Sequence, residues 1–246
     1  MNREEKIPMI REMLRLIALG SHDMPNYVFS YFIKHKIPTE QKCFYNLIAD
    51  TFLTLYSFSS LMNDNCWSQA STLLRMALEQ VSAVFVMAYQ KESIKDYVNL
   101  QKEKNMFLRL NEKEQKEYAK NNGFRGREYA YFDYGWIKRF TDDKTYGRIQ
   151  LMKLAHLEEF TVDIDQTLNS FSHGSITIFQ FDKDNWDVMK RYGDRITIAC
   201  CKLFDFLCCS YKYLIGEEFL CLPLNSVFLE FKSIYQELFI KEGWKK

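Results

Sequence analysis

Residues 70–89 read ASTLLRMALEQVSAVFVMAY, and their pattern is the strongest indication of the fold class. A helix here would carry apolar side chains around its whole circumference, at positions 73, 74, 76–78, 81 and 83–87. A helix that is apolar on all sides lies in the interior of a protein. The stretch therefore predicts a central helix, from about Cys66 to Gln90, with other helices packed around it.

The composition of the whole chain agrees with an all-α fold. Its 246 residues include only 9 glycines and 4 prolines, so turns are few and the elements between them are long. Hydrophobic residues make up 47% of the chain, enough to fill a substantial core. We predict one domain over residues 1–246, an antiparallel bundle of about seven to nine helices. Its core spans about 40–215, and helices over 2–36 and 226–242 pack on it.

Local signals predict several helix starts. Thr39 is a candidate N-cap for a helix that runs to about Asn63. Ser93 with Asp96, and Asn111 with Glu114, each have the spacing of a capping box, in which two side chains satisfy free amides at a helix start. Each of the three positions therefore predicts the beginning of a helix.

Other signals predict helix ends and non-helical segments. Gly20 and Gly216 each follow an apolar helical pattern, so each predicts a helix terminus. The helical period is lost over residues 123–144, which predicts a loop or lid. Residues 175–181, SITIFQF, are β-branched and aromatic, which predicts a brief extended segment.

Net charge, cysteines and hydropathy limit the functional classes. The net charge is +1, so any surface that attracts nucleic acid must be local. The N-terminus lacks the order of a signal peptide, and no run reaches the ~20 apolar residues of a membrane span. The spacing of the seven cysteines disfavours disulfides and a shared metal ion. We expect a soluble cytoplasmic protein with free thiols, no membrane, no metal and no cofactor.

Arg75 and Glu79 are the main chemical feature of the apolar stretch. They are four residues apart, so they lie on the same face of the predicted helix. Burial of two charges costs several kcal/mol for each before pairing offsets it, which makes an ion pair a poor device for stability. One interpretation is a polar pocket in which Arg75 binds an anion and Glu79 orients it. The other is a buried structural bridge to a neighbouring helix.

His173 is the second chemical feature. It lies in DQTLNSFSHGS, residues 165–175, before Gly174 and close to Ser170, Ser172 and Ser175. Histidine exchanges protons near neutral pH, so a polar site around His173 is one interpretation. The other is an ordinary helix terminus, where the helix dipole favours a charged histidine.

Residues 124–140, FRGREYAYFDYGWIKRF, interleave cations with aromatic side chains. Cations contact phosphates and aromatic rings stack on bases, so this pattern indicates a loop that binds single-stranded nucleic acid. The candidate contacts are the four cations Arg125, Arg127, Lys138 and Arg139. The alternative is a loop that anchors its aromatic side chains, Trp136 among them, in the core.

Three short motifs resemble a poorly characterised family of bacterial helical proteins. They are S-x-x-x-R-x-x-x-E at Ser71–Glu79, YGW at 134–136 and LNSFSHGS at 168–175. The resemblance covers roughly residues 40–215. It makes Arg75, Glu79 and His173 the candidate catalytic residues. The candidate ligand-binding residues are Ser71, Ser172, Ser175 and Trp136.

More distantly, the chain resembles the HEPN-like helical domains of toxin–antitoxin, phage-defence and RNA-processing systems. Many of these are metal-independent ribonucleases with an R-x(4–6)-H motif. The resemblance implies a protein that binds or cleaves RNA, or binds a nucleotide, in a stress or defence setting. The chain departs from the motif, because no arginine precedes His173 at that spacing. Arg15 and His22 satisfy the count, with Leu16 in place of the usual polar residue.

Two hypotheses from different classes follow. In the first, a HEPN-like protein acts on RNA or a nucleotide, with His173 as acid and base and Arg75 on the phosphate. In the second, the chain is a non-catalytic interaction module that forms a homodimer. The first hypothesis predicts that Arg75, Glu79 and His173 converge on one polar pocket.

Overall fold

A computed structural model describes residues 3–64, 66–124, 128–142, 144–158 and 183–241. The described residues contain helices and no strand, which confirms the predicted all-α bundle. The first five helices are α1 Arg3–His22, α2 Met24–Lys34, α3 Thr39–Asn63, α4 Trp67–Tyr89 and α5 Glu92–Phe107. The others are α6 Glu112–Asn121, α7 Glu128–Tyr134, α8 Arg148–Leu154, α9 Lys183–Ile215 and α10 Pro223–Tyr235. Two 3₁₀ helices, Gly135–Phe140 and Gly216–Cys221, and a π-helical turn, Gln236–Lys241, complete the described chain.

The centre of the bundle is formed by α3, α4 and α9. A short connection reverses the chain between α3 and α4, so these two helices are antiparallel neighbours. Helix α9 runs parallel to α4, because Phe85 meets Phe206 at 5.6 Å between ring centroids and Tyr89 meets Tyr213 at 4.8 Å. A parallel neighbour needs a long connection, and helices α5 to α8 lie within it.

Helix α1 lies against α9 and α10, and Gly20 permits the close approach. The predicted helix end at Gly20 is wrong, since α1 continues to His22. A Cβ atom on Gly20 would lie 2.9 Å from Leu224 Cδ1 and 3.0 Å from Phe204 Cζ. The glycine is therefore required by helix packing and does not end the helix.

Two of the predicted helix starts need correction. Asn111 and Glu114 form the complete capping box at the start of α6, as predicted. Helix α5 begins at Glu92, and Ser93 is fully buried within it, so the predicted capping box at Ser93 is wrong. Thr39 is the first residue of α3, and Pro38 occupies the cap position.

The loop predicted over residues 123–144 is largely helical. Helix α7 and the 3₁₀ helix Gly135–Phe140 occupy most of it. Phe132, Trp136 and Ile137 are buried at 0%, 4% and 0% exposure, next to α5. The sequence lacks a clean period here because a short α-helix is followed at once by a 3₁₀ helix with a different repeat.

The end of the chain follows the prediction in part. Helix α9 ends before Gly216, whose φ of +60° is the left-handed conformation that ends helices. The last α-helix begins at Pro223 and not at Ser226, because a proline is already suited to the first helical turn. The extended segment predicted for residues 175–181 lies outside the described residues.

Helix α4 is less uniformly buried than its sequence predicts. Thr72 and Met76 are exposed, while Leu74, Leu78 and Val81 are buried. By length and composition, Gln69–Tyr89 could cross a membrane, the one such helix in the described part of the chain. Its most apolar window is 61% buried inside the protein, and a core helix passes the same test, so this is weak evidence for a span.

Candidate functional site

Glu79 is the centre of a polar cluster between α4, α7 and α8. The Tyr134 hydroxyl donates a hydrogen bond to Glu79 Oε2 at 2.9 Å. The Arg148 guanidinium lies 3.6 Å from Glu79 Oε1. The side chains of Glu79 and Arg148 are 33% and 17% exposed, so the cluster is partly shielded from water. We call Arg75, Glu79, Tyr134 and Arg148 the Glu79 cluster.

Arg75 lies one helical turn before Glu79, on the same face of α4. Its side chain is partly exposed, and the neighbouring Ser71 is fully buried. Arg75 and Glu79 are therefore not fully buried, contrary to the expectation for a helix that is apolar on all sides. The cost of holding charges here is correspondingly lower.

Tyr134 acts in the cluster as a hydrogen-bond donor. Burial raises its pKa, and the negative charge of Glu79 raises it further. The phenol therefore keeps its proton at neutral pH and continues to donate to the carboxylate. A group in this state is a fixed structural donor and not a general base.

The Glu79 carboxylate contacts both ends of one segment. Tyr134 ends α7, Arg148 begins α8, and residues 135–147 connect them. That connection carries Lys138 and Arg139, two of the cations assigned to the nucleic-acid loop, together with Lys144. We call residues 134–148 the basic segment. Glu79 therefore ties both ends of the basic segment to α4.

A cavity of about 560 Å³ is lined by residues of the basic segment and of α5, and we call it the α5 groove. Lys138, Arg139 and Lys144 lie on the side of the basic segment. Helix α5 contributes Asp96, Asn99 and Glu103, which follow one another at helical spacing on a single face. Further lining residues are Leu100, Tyr131, Gly135 and Trp136.

The cations of the α5 groove differ in their partners. Arg139 Nε lies 2.6 Å from Asp96 Oδ2, and its Nη2 lies 3.2 Å from Glu92 Oε2. Arg139 is thus held by two carboxylates of α5. Within the described part of the chain, neither Lys138 nor Lys144 forms an ion pair, and both are exposed. The two lysines are available to an anion.

Trp136 is buried and serves packing. Its indole Nε1 donates to the Asp133 carbonyl at 3.0 Å, and its ring meets the edge of Tyr97 at 5.6 Å between centroids. Only 4% of the residue is exposed. The indole forms part of the groove floor and has no free face on which a base could stack, unlike the role predicted from the sequence.

The remaining predicted site residues are His173, Ser172, Ser175, Arg125 and Arg127, and they lie outside the described residues. The convergence of His173 with Arg75 and Glu79 therefore stays a prediction. Across the described ranges, no group of three or more His, Cys, Asp or Glu side chains is placed to hold a metal ion.

Two members of the Glu79 cluster were not found by sequence reasoning. Tyr134 belongs to the YGW motif of the resemblance, but nothing in the sequence connects it to Glu79, 55 residues earlier. Arg148 has no local signal, since it follows a glycine at the start of a short helix. Only the packing of α8 on α4 brings Arg148 to the carboxylate.

No protein-family model matches this sequence, and no curated protein or solved structure matches the chain. The resemblances to the bacterial helical family and to HEPN-like domains therefore remain predictions.

Proposed function

We propose that this chain is a HEPN-like helical protein that binds RNA or a nucleotide. One observation carries the proposal: Glu79 contacts Tyr134 and Arg148, and so holds both ends of the basic segment. Lys138 and Lys144 therefore extend from a backbone that is anchored before a ligand arrives. Such preorganisation lowers the entropic cost of binding an anion.

The electrostatics suit a local phosphate site. The net charge of the whole chain is only +1, so long-range attraction of nucleic acid is weak. Binding depends on the few cations that meet the phosphates. With two lysine contacts on a single strand, the slope of log affinity against log salt is about −1.4, at ~0.7 for each contact. A larger slope indicates that further cations take part.

The catalytic part of the proposal assigns proton transfer to His173 and phosphate contact to Arg75. Histidine suits this role because its pKa lies near neutrality. Cleavage then proceeds without a metal ion. Glu79, Tyr134 and Arg148 act as positioning residues, because Tyr134 and Arg148 both contact Glu79 and so fix the ends of the basic segment.

Two assays test binding and cleavage separately. Fluorescence anisotropy with a labelled single-stranded RNA measures binding by the full-length chain. Incubation with mixed RNA, with and without a chelator, measures cleavage. Cleavage that persists with chelator and is lost in His173→Ala supports catalysis, whereas binding without cleavage reduces the proposal to a binding protein. A folded protein that neither binds RNA or nucleotides nor cleaves RNA contradicts it.

A homodimeric interaction module is the second candidate, and an exposed aromatic surface favours it. Tyr89 and Tyr213 stack at 4.8 Å while 49% and 57% exposed, with Phe85 and Phe206 beside them. A second copy of the chain would bury these rings. Light scattering measures the mass of the protein in solution. A dimer that Tyr213→Glu converts to a folded monomer supports this function, and a monomer at micromolar concentration contradicts it.

A further inference from the structure

We infer that the α5 groove binds one nucleoside phosphate unit, either a free nucleotide or a single unit of an RNA strand. Lys138 and Lys144 contact the phosphate, and Glu103 accepts hydrogen bonds from a sugar hydroxyl or a base amino group. The inference rests on the proposed function and names the site and the ligand class.

The size of the groove fits such a unit. Its volume of about 560 Å³ is within the ~300–1,000 Å³ typical of small-molecule sites. Apolar and aromatic side chains, Leu100, Tyr131 and Trp136, line the groove together with the charged ones. The arrangement of a few polar groups around an apolar floor is the general design of a ligand pocket.

Thr141 contacts the backbone close to both lysines. Its hydroxyl lies 3.0 Å from the Lys138 carbonyl oxygen and 2.7 Å from that of Thr145. Lys144 has a φ of +54°, the left-handed conformation that is unfavourable for a residue with a side chain. Backbone strain of this kind is often retained at binding sites.

Ion pairing leaves the two lysines as the phosphate contacts. Arg139 is closest to Asp96 and Glu92, so its charge is offset by α5 itself. Lys138 and Lys144 have no such carboxylate among the described residues. A phosphate group that approaches the basic segment is therefore attracted chiefly by these two ammonium groups.

Glu103 of α5 should distinguish a nucleotide from phosphate alone. The Glu103 carboxylate accepts hydrogen bonds from the hydroxyls of Tyr118 and Tyr131. Burial and the charge of Glu103 raise the pKa of both tyrosines, so they stay protonated donors. An ionised carboxylate has about four acceptor positions, which leaves room for donors of a ligand. Sugar hydroxyls and base amino groups are such donors, whereas inorganic phosphate at neutral pH repels a carboxylate.

Calorimetric titration of the full chain with AMP, GMP, CMP, UMP and inorganic phosphate tests the inference. We expect at least one nucleotide to bind ten times more tightly than phosphate. The double variant Lys138→Ala/Lys144→Ala should weaken that nucleotide at least tenfold. The matched control is Lys95→Ala/Lys102→Ala, which removes two exposed lysines of α5 outside the groove lining and should change affinity less than twofold.

Two further variants separate binding from folding. Lys144→Gly removes the amine and also relieves the strain of the left-handed backbone at this residue. The Tm of the variant should therefore not fall, while nucleotide binding weakens severalfold. Glu103→Gln should weaken the nucleotide severalfold and leave phosphate unchanged or tighter. A loss of nucleotide binding only where the Tm also falls would contradict the site.

The possible failures are distinguishable. If the wild type binds RNA and the lysine variants bind it equally well, or if no nucleotide competes with RNA, the groove inference is wrong and the proposed function stands. If the wild type binds neither RNA nor any nucleotide, the proposed function and the inference both fail. Competition between a bound mononucleotide and RNA supports one shared site.

Discussion

The Tyr134 hydroxyl donates a hydrogen bond of 2.9 Å to Glu79 Oε2, across 55 residues of sequence. Arg148 lies 3.6 Å from the other carboxylate oxygen of Glu79. One carboxylate thus joins α4 to α7 and to α8. Because the basic segment connects α7 to α8, the position of its cations depends on Glu79.

Removal of the Tyr134 hydroxyl should destabilise the protein modestly. A hydrogen bond to a charged group contributes about 1.5–3 kcal/mol, and solvent access to Glu79 lowers this to ~1–2 kcal/mol for Tyr134→Phe. The free energy of unfolding in urea measures the change. Tyr129→Phe is the matched control, because Tyr129 is 61% exposed and should lose less than ~0.5 kcal/mol. Equal effects of the two variants would contradict the role of Tyr134.

Loss of Glu79 should loosen the basic segment before it unfolds the protein. Glu79→Ala removes the acceptor for Tyr134 and the charge beside Arg148, so we expect faster amide hydrogen exchange over residues 135–147. The capped helix α6 should be unchanged. Hydrogen exchange measured by mass spectrometry gives the exchange rates of the basic segment and of α6 in one experiment. Uniform acceleration across the chain would show that Glu79 serves global stability only.

The buried Tyr45 should make the stability of the protein fall at alkaline pH. Burial raises its pKa to about 12, and Tyr31 beside it adds to the shift. In the unfolded chain the pKa is about 10, so at high pH the unfolded state binds fewer protons than the folded state. The contribution of Tyr45 to stability is complete below pH ~10 and is lost as the pH rises towards 12.

The comparison for this titration is Tyr45→Phe. Between pH ~10 and 12, the unfolding free energy of the wild type should fall more steeply than that of the variant, by up to ~1.4 kcal/mol per pH unit. Denaturant unfolding at a series of pH values measures both slopes. Identical slopes would contradict the assignment to Tyr45.

Gly20→Ala should destabilise the protein although alanine favours helices. The helix preference gains up to ~1 kcal/mol, but the new Cβ atom would lie 3.0 Å from the buried Phe204 ring and 2.9 Å from Leu224. Overpacking of this kind costs ~1–3 kcal/mol. Thermal unfolding measures the net loss.

A double variant tests whether the contact with Leu224 causes the destabilisation by Gly20→Ala. Leu224→Ala creates space beside residue 20, so Gly20→Ala should cost less in that background than in the wild type. The difference between the two costs is the coupling energy. Simple additivity of the two substitutions would mean that the Gly20–Leu224 contact is not the reason for the glycine.

The cysteines should divide into a fast-reacting and a slow-reacting class when their thiols are titrated in the native protein. The seven are free in the structure; Cys200, Cys201 and Cys208 are buried, and burial raises the pKa of each thiol. In native protein we expect fast thiol titration only at Cys43, Cys66 and Cys221. Cys209 should react slowly, because partial burial of its thiol and the charge of Asp205 raise its pKa to about 11. Denatured, non-reduced protein should give a count near seven. A denatured count of three or fewer would contradict the free thiols.

Local sequence signals correctly predicted the helix start and the helix end that depend only on neighbouring residues. The capping box at Asn111 and Glu114 and the helix end at Gly216 depend on residues a few positions apart, and both are present. The predictions at Gly20 and Ser93 were wrong for one reason. Gly20 lies where α1 packs against Leu224 and Phe204, and Ser93 is buried within α5; a local pattern contains neither the packing nor the burial.

Sequence alone was enough to predict the all-α class, a central helix that the structure places at Trp67–Tyr89, and Arg75 and Glu79 as unusual charges in it. These follow from composition and helical period, which are properties of neighbouring residues. The fold was needed to show that Tyr134 and Arg148 complete the Glu79 cluster and that Lys138, Lys144 and Glu103 line one groove. Side-chain contacts between helices depend on how the helices pack, and packing is settled by the whole core at once.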